Sequence, residues 1–282
     1  MHNHLAQPHV TGFRRSEFSR RAEELSATVQ SQTSCWIRPL RCVPEARFRL
    51  FCFPYAGGSA AVFRDWPEFF QPAIETCAIH LPGRGNRLCE KPHFRIGPVV
   101  KAVCATLQSE WSGKPFALFG HSMGALIAFE VARQMEAQGG PRPAHLFVSG
   151  CRAPSLLDAS ESRHNLPVRE LLNYLRELGG TPDEVFENEE LLECFLPSIR
   201  ADLELVETYQ YSPFPALLRC PITALGGVDD QEADPDSLMA WREESSESFL
   251  LKMFPRGHFF IDGAQAAVAE IILGALGLER YP

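Results

Sequence analysis

A serine stands at the centre of Gly120-His121-Ser122-Met123-Gly124, a G-x-S-x-G pattern. The short apolar run Ala117 to Phe119 leads into it, and a helical apolar pattern that stops at Gly139-Gly140-Pro141 leads out. A strand that enters a helix through this pattern turns so sharply that side chains at the two glycine positions would collide. We therefore predict a nucleophile elbow that exposes the hydroxyl of Ser122.

A serine hydroxyl is a weak nucleophile at neutral pH, so it needs a base that takes its proton and a carboxylate that orients the base. In folds built on this elbow, the order along the chain is serine, acid, histidine. We compare His164 and His258 as bases. His164 opens the segment without strands, and no acid at the end of a strand lies between it and Ser122, whereas His258 directly follows the last predicted strand. We predict His258 as the base and expect the other histidines, including His121, to be structural or exposed to solvent.

The acid is expected on the loop after the predicted strand Ile222 to Leu225. That loop reads Gly-Gly-Val-Asp-Asp-Gln-Glu-Ala-Asp-Pro-Asp and holds four candidates: Asp229, Asp230, Asp234 and Asp236. Their position on one acidic turn does not distinguish them.

Acyl transfer also needs donors for the oxyanion of the tetrahedral intermediate, commonly the N–H after the nucleophile and one from the loop after an early strand. Met123 supplies the first. The second is expected in Phe53-Pro-Tyr-Ala-Gly-Gly-Ser, because a glycine-rich turn lets the backbone approach the substrate closely. We predict the amide of Ala56, with Tyr55 as the alternative.

Short apolar runs that alternate with helical patterns surround these residues from Phe48 onward. The runs are Phe48 to Phe53, Cys77 to Leu81, Ala117 to Phe119, Leu146 to Ser149, Ile222 to Leu225 and Phe249 to Phe254. This alternation predicts an α/β fold with a mostly parallel central sheet and helices on both faces. In such sheets the chemistry gathers at the carboxyl ends of the strands.

Two segments interrupt this organisation. Residues 1–34 are polar and are predicted to be a flexible N-terminal extension, which leaves 35–282 as one domain. From about Pro154 to Tyr211 no strand pattern occurs, but leucines repeat at helical spacing. We predict a helical lid inserted at about 154–211, with apolar faces that serve packing and can also line a tunnel.

Composition narrows the classes of partner. The 282 residues carry a formal charge of -8, which argues against nucleic acid because phosphate binding rests on many basic contacts. No apolar run is long enough to span a bilayer and no signal-peptide pattern opens the chain, so we expect no membrane association and a cytoplasmic location. The nine cysteines show no metal-binding spacing, and the chemistry requires neither a metal nor another cofactor.

Six segments in this order resemble the type II thioesterases that accompany polyketide synthases and non-ribosomal peptide synthetases. They are FCFPYAGGSAAVFRDW, LPGRGNR, GHSMGALIAFEVAR, LPSIRADLELVETY, ALGGVDD and PRGHFF, and the resemblance runs from about Trp36 to the C-terminus. It implies the α/β-hydrolase fold. In that family two glycines precede the catalytic aspartate in a way that matches Asp230, although the usual proline after it is Gln231 here.

The resemblance implies hydrolysis of acyl groups from the phosphopantetheine thiol of acyl or peptidyl carrier domains, in order to clear stalled or aberrant units. Carrier domains are generally acidic, so a basic patch for docking is expected at Arg84, Arg87, Lys91 and Arg95. The alternatives are a medium-chain fatty-acyl or product-releasing thioesterase, a general carboxylesterase, and a hydrolase fold that has become a binding module.

Overall fold

The computed structural model describes residues 35–110, 113–157, 162–181, 183–213 and 217–278. The extension predicted at 1–34 lies outside the described residues.

Seven strands in the described residues form one sheet, in the spatial order β1-β3-β2-β4-β5-β6-β7. Their bounds are β1 Ile37–Pro39, β2 Phe48–Phe53, β3 Ile74–Ile79, β4 Phe116–His121, β5 Leu146–Ser149, β6 Ile222–Gly227 and β7 Phe249–Phe254. β1 runs antiparallel to β3, and every other neighbouring pair is parallel. The six predicted strands are confirmed, with β3 beginning and ending earlier than expected. β1 was not predicted, because three residues with one buried side chain give no readable pattern.

Side chains on the inner strands alternate between two cores, one on each face of the sheet. In β2, Phe51 and Phe53 pack into one core, and Leu50 and Cys52 pack into the other. β3, β4 and β6 are buried at every residue, whereas the edge strand β7 alternates between partly buried and exposed positions for most of its length. This is the burial expected of a parallel sheet covered on both sides.

Eight α-helices fall in the described residues: α1 Pro67–Phe70, α2 Ile96–Glu110, α3 Met123–Ala137, α4 Val168–Leu178, α5 Asp183–Glu187, α6 Glu189–Glu207, α7 Pro235–Met239 and α8 Ile261–Ala275. Short 3-10 turns lie at Ala60–Phe63, Gly85–Arg87, Pro154–Leu156, Arg163–Asn165 and Ala240–Glu244. α2 and α3 supply apolar side chains to one core, and α1 and α8 supply them to the other. The predicted α/β architecture is therefore confirmed.

The helices α4, α5 and α6 come between β5 and β6 in the chain, where the lid is predicted. Leu171 and Leu175 of α4 pack against Ile199 and Leu203 of α6, which gives the insertion a small core of its own. α5 was not predicted, since five residues carry too little periodicity. Within the described part of 154–211 there is no strand, in agreement with the sequence pattern.

The strand order explains where a site can form. The chain passes from β2 to β3 on one side of β2 and then returns to β4 on its other side. The loops that follow β2 and β4 consequently leave the sheet in opposite directions, and a crevice opens between them at the carboxyl ends of the strands. The glycine-rich turn follows β2, and Ser122 follows β4.

Candidate active site

Ser122 occupies a strained turn between β4 and α3, with φ 54° and ψ -122°. Its N–H donates to the backbone oxygen of Ser149 at 2.7 Å, which ties the turn to β5. A Cβ on Gly120 would lie 2.2 Å from the oxygen of Gly124, and one on Gly124 would lie 2.1 Å from the oxygen of Phe53. Both positions therefore require glycine. The sequence folds here into the tight elbow that exposes a nucleophile.

His258 and Asp230 meet across the loops that follow β7 and β6. Nδ1 of His258 lies 2.9 Å from Oδ2 of Asp230, and both residues are only 6% exposed. A carboxylate can only accept, so Nδ1 carries the proton and Nε2 is left to accept one. The second oxygen of Asp230 accepts the N–H of Glu232 at 2.8 Å and that of Ala233 at 3.3 Å. The carboxylate is thus held in place from both sides.

The other aspartates of the loop cap a helix or are exposed to solvent. Asp234 caps α7 by accepting the N–H of Ser237 at 2.9 Å, and this bond holds the pKa of its carboxyl below the ordinary value. Asp229 and Asp236 are exposed. Asp230, which the resemblance favours, is the aspartate that accepts a hydrogen bond from His258.

The turn after β2 closes with a hydrogen bond that does not involve the N–H of Ala56. The N–H of Gly58 donates to the oxygen of Tyr55 at 2.9 Å, and Gly57 has φ +75°, so Ala56 and Gly57 are the central residues of a type II turn. The N–H of Ala56 takes no part in that turn bond. Ala56, Met123 and Ser122 line the same cavity, whereas the ring of Tyr55 packs edge-on against Phe259 with centroids 4.8 Å apart.

His121 and His145 are two further buried histidines, and both serve packing. His121 is fully buried beside the site, with its Nδ1 2.9 Å from the hydroxyl of Ser149, and burial followed by the proximity of His258 lowers its pKa well below the ordinary value. His145, which also follows Ser122 in the chain, lies just before β5. It is therefore at the amino ends of the strands, on the side of the sheet opposite the site. Its Nε2 is 2.8 Å from the hydroxyl of Thr223. Its place in the fold keeps it away from the nucleophile.

The cavity over the elbow has an empty volume of about 890 Å³, counted out to open solvent. Its apolar wall combines residues of the elbow helix with residues of the insertion: Met123, Leu126, Leu157, Leu178, Leu203 and Val206. Ser122 and His258 line it as well. An apolar acyl chain attached to the nucleophile would therefore be sheltered from water.

Polar groups at the rim of the cavity are engaged with one another. Arg163 donates to the hydroxyl of Tyr174 at 2.9 Å and to the carboxylate of Glu232 at 2.9 Å. Glu207 accepts the N–H of Arg163 at 2.8 Å and contacts the ring of His164. His164, the rejected base, is thus bound to the carboxylate at the end of α6. Sequence spacing gave no sign of this cluster, because its members come from four separate segments.

Cys151 is the thiol that lines the cavity. Burial raises its pKa to about 12, so the group stays protonated at neutral pH and does not compete with the serine. Among the described residues no group of three or more His, Cys, Asp or Glu side chains could hold a metal ion.

Of the four cations predicted to bind a carrier domain, two are buried and two are exposed. Arg84 and Arg87 are 4% and 8% exposed. Arg84 is paired with Asp202, while Arg87 donates to Glu90 at 2.8 Å. Their burial in ion pairs corrects their assignment to a surface patch, because such groups are not available to a partner.

The other two predicted cations remain at the surface. Lys91 is exposed. Arg95 is also exposed, and its guanidinium is 2.5 Å from the carboxylate of Glu204 on α6. Of the four predicted cations, Lys91 and Arg95 are therefore the two that a partner could reach.

Both the sequence and the fold match those of known proteins. The family model described as a thioesterase domain matches residues 48–276, which include the elbow, the acid loop and the histidine loop. The chain belongs to the thioesterase family. It is an enzyme of the α/β-hydrolase fold that hydrolyses thioesters, and its solved relatives include type II thioesterases.

Three relatives show the extent of the likeness. This thioesterase is 40% identical over 258 residues to the gramicidin S biosynthesis protein GrsT of Aneurinibacillus migulanus, covering 90% of the chain and 99% of the relative. The structure of BorB, a type II thioesterase from the borrelidin biosynthetic cluster, superposes with a TM-score of 0.78 at 36% identity over 89% of this chain and 100% of BorB. The medium-chain S-acyl fatty acid synthase thioesterase of Homo sapiens is 35% identical, over 77% and 82% of the two chains.

Within the described residues no helix of this thioesterase is both long and apolar enough to cross a membrane.

Proposed function

We propose that this thioesterase hydrolyses acyl groups from the phosphopantetheine thiol of acyl or peptidyl carrier domains, and so clears stalled or aberrant units during polyketide or non-ribosomal peptide biosynthesis. The observation that carries the proposal is the placement of Ser122 and His258 in one cavity whose apolar wall is shared by the elbow helix and the helical insertion. Such a chamber accepts an acyl chain and presents its carbonyl to the nucleophile.

Ser122 is proposed to attack the thioester carbonyl carbon through its Oγ while its proton passes to Nε2 of His258. The tetrahedral intermediate then collapses, the carbon–sulfur bond breaks, and the thiol leaves with the proton from His258. Water attacks the resulting acyl-serine ester and gives a proton to Nε2. Nε2 then passes this proton to Oγ of Ser122 as the ester carbon–oxygen bond breaks, which releases the carboxylic acid and restores the free serine. Asp230 keeps Nδ1 protonated throughout and stabilises the imidazolium.

The oxyanion of both tetrahedral intermediates would be held by the N–H groups of Ala56 and Met123. The strained backbone at Ser122 supports this assignment, since the elbow places the first amide of α3 directly beside the serine. The type II turn supports it from the other side, because the amide of Ala56 is not used within the turn. Loss of one such donor typically costs about 3 kcal/mol of transition-state stabilisation.

The partner is proposed to be a carrier domain that docks near the loop after β3. Lys91 and Arg95 are the exposed cations of that loop, and Arg95 reaches Glu204 at 2.5 Å on the insertion. An acidic carrier would be attracted to this pair more than to the chain as a whole, which has a formal charge of -8. The likeness to GrsT and BorB, both from biosynthetic pathways, supports this kind of partner.

We further propose that the enzyme works in the cytoplasm. All nine cysteines are free, and five of them are buried. Unpaired thiols persist where the compartment is reducing.

The second candidate function is release of medium-chain fatty acids. It is favoured by the 35% identity to the human medium-chain thioesterase. The longer coverage and higher identity of GrsT favour the editing role over it. A binding module without chemistry is disfavoured, because the elbow and the Asp230–His258 pair are intact.

The test follows loss of the acyl group from an acyl-phosphopantetheinyl carrier protein by intact mass spectrometry, beside the matching acyl-coenzyme A and a nitrophenyl ester, with Ser122→Ala as control. The proposal expects the carrier-bound substrate to be hydrolysed best and the Ser122→Ala variant to be inactive. Equal or faster turnover of the nitrophenyl ester would point to a general esterase. Turnover that survives in Ser122→Ala would remove Ser122 from the mechanism.

A further inference from the structure

A buried carboxylate on the insertion contacts the turn that follows β2. Asp202 lies in the middle of α6 and is 2% exposed. Its Oδ2 accepts the N–H of Gly57 at 2.7 Å, and its two oxygens are held by the guanidinium of Arg84, with Nη2 2.7 Å from Oδ1. The pair is bidentate, the geometry in which an arginine–carboxylate contact is strongest and most directional.

Arg84 also contacts the turn directly, through the backbone oxygen of Gly58. It follows β3 and is 4% exposed. Its Nη1 donates to the oxygen of Gly58 at 3.4 Å, and its Nε and Nη2 donate to the oxygen of Pro82, each at 3.3 Å. The ion pair therefore holds one N–H and one carbonyl of adjacent residues in the turn, Gly57 through the carboxylate and Gly58 through the guanidinium.

The turn also packs directly on α6. Gly57 has φ +75°, and a Cβ at that position would lie 2.8 Å from Cγ1 of Ile199, one turn of α6 before Asp202. The absence of a side chain lets the helix approach the backbone. Ala56, the residue before Gly57, carries the amide assigned to the oxyanion. Three contacts, two polar and one steric, thus fix the segment that carries this amide against a helix of the insertion.

We propose that Asp202 and Arg84 are positioning residues for the oxyanion donor, and that they make the hole complete only when α6 lies against the turn. The proposal rests on the assignment of Ala56 under the proposed function. A donor must stand about 2.7–3.1 Å from the oxyanion to stabilise it, so a small displacement of the turn weakens catalysis without weakening the binding of the acyl chain. The helix that walls the acyl chamber is then also the helix that completes the catalytic backbone.

The contacts with the turn explain why the charged side chains of Asp202 and Arg84 are buried between α6 and the turn. An ion pair of this kind is seldom the most stable filling of a buried site, and removal of one partner leaves the other charge uncompensated. A pair of apolar side chains could join α6 to the body of the domain, but it could not hold both an N–H and a carbonyl of the turn.

The experiment uses Asp202→Asn with a small acyl-N-acetylcysteamine thioester, so that no carrier domain is involved. The readouts are kcat, KM and the inhibition constant of an acyl trifluoromethyl ketone, whose adduct with Ser122 places an oxyanion in the hole. We expect kcat to fall by about tenfold or more with KM within about twofold, because a displaced donor costs part of what a missing donor costs. The inhibition constant should rise by the same factor as kcat/KM falls.

The matched control is Glu75→Gln. Glu75 on β3 is 3% exposed and accepts Nε of Arg49 at 2.7 Å and the N–H of Val43 at 3.2 Å. It is likewise a buried carboxylate bound to one arginine and one amide, but it does not touch the turn. Glu75→Gln should lower the free energy of unfolding while kcat and the inhibition constant stay at wild-type values.

A second variant keeps the proposal testable if Asp202→Asn fails to fold. Arg84→Lys retains the charge but loses the bidentate contact, and it should show the same parallel change in kcat/KM and in the inhibition constant. Loss of stability with unchanged kcat and unchanged inhibition by the ketone, in whichever variant folds, would overturn the proposal. Failure of the wild-type enzyme on carrier-bound substrate, with the small thioester still responding as described, would instead overturn the proposed function alone.

Discussion

Nδ1 of His258 and Oδ2 of Asp230 lie 2.9 Å apart, although the two residues are separated by the whole of α7 and β7. The contact brings together the loops after the last two strands of the sheet. It selects one aspartate of an acidic turn as the partner of the base. The neighbours of that aspartate on the turn are left for capping or for solvent.

Asp230→Asn should lower kcat by roughly 10³–10⁴-fold with little change in KM, because an amide no longer fixes the tautomer in which Nε2 accepts a proton. Asp229→Asn and Asp234→Asn are the matched controls, and both should keep near wild-type kcat. Steady-state hydrolysis of one thioester by all three variants is the measurement. A large loss in Asp229→Asn with none in Asp230→Asn would reverse the assignment.

Gly124→Ala should prevent the elbow from forming, because the added Cβ would lie 2.1 Å from the oxygen of Phe53. We expect a loss of about 4 kcal/mol or more in the free energy of unfolding, or no folded protein. Gly274→Ala is the control, since nothing lies within 4 Å of a Cβ there and alanine favours the helix. Thermal unfolding checks both variants. A Gly124→Ala protein with wild-type stability and activity would contradict the steric argument.

His145 makes stability depend on pH. Burial lowers its pKa from 6.5 to about 4, so between these values the unfolded chain binds a proton that the folded protein does not. The free energy of unfolding should therefore fall as the pH is lowered through this range, by about 3 kcal/mol from this group. His145→Gln should flatten that part of the profile. Urea unfolding from pH 7 to pH 4 measures it, and parallel wild-type and variant profiles would disprove the assignment.

Val206 on α6 lines the acyl chamber, so a larger side chain there should shorten the chain that fits. Val206→Trp is expected to lower the ratio of hexanoyl to acetyl thioester hydrolysis by at least about tenfold, since each methylene excluded from an apolar site forfeits about 0.8 kcal/mol. Val168→Trp on α4 is the control, because Val168 is 48% exposed. An equal loss of kcat/KM for both substrates would show that Val206→Trp disturbs the site rather than the chamber.

Charge reversal at Lys91 and Arg95 tests the docking patch. The double variant Lys91→Glu/Arg95→Glu should raise KM for an acyl-carrier substrate by about tenfold at low salt, because repulsion replaces attraction toward an acidic partner. Turnover of the small thioester should not change. Lys252→Glu on β7 is the control, because Lys252 is also an exposed cation and lies outside the patch. Equal losses on both substrates, or an equal effect of Lys252→Glu on the carrier reaction, would rule the patch out.

Local pattern predicted the elements that carry the site. Six strands and the elbow followed from apolar spacing and two glycines, since both reflect constraints between residues that are close in the chain. Ser122 followed from the elbow pattern, and His258 followed from the order of serine, acid and histidine along the chain. Asp230 needed the family resemblance, because the local sequence does not show which of the four aspartates on the loop is buried and in contact with His258.

The partners of the arginines could not be predicted in this way. Arg84 and Arg87 were expected in a basic docking patch because carrier domains are generally acidic. Asp202, which is paired with the buried Arg84, is 118 residues away and lies on α6. A contact at that separation leaves no periodic trace in one sequence, so neither the ion pair nor its bond to Gly57 could be foreseen.

The insertion that carries α4 and α6 has its own small apolar core, formed by Leu171, Leu175, Ile199 and Leu203. It can therefore vary as a module during evolution, and the choice of acyl group can be retuned without rebuilding the nucleophile. Asp202 sets a limit on that freedom. An insertion exchanged between relatives would have to bring a carboxylate to the same place on α6, or the borrowed chamber would bind its substrate but hydrolyse it slowly.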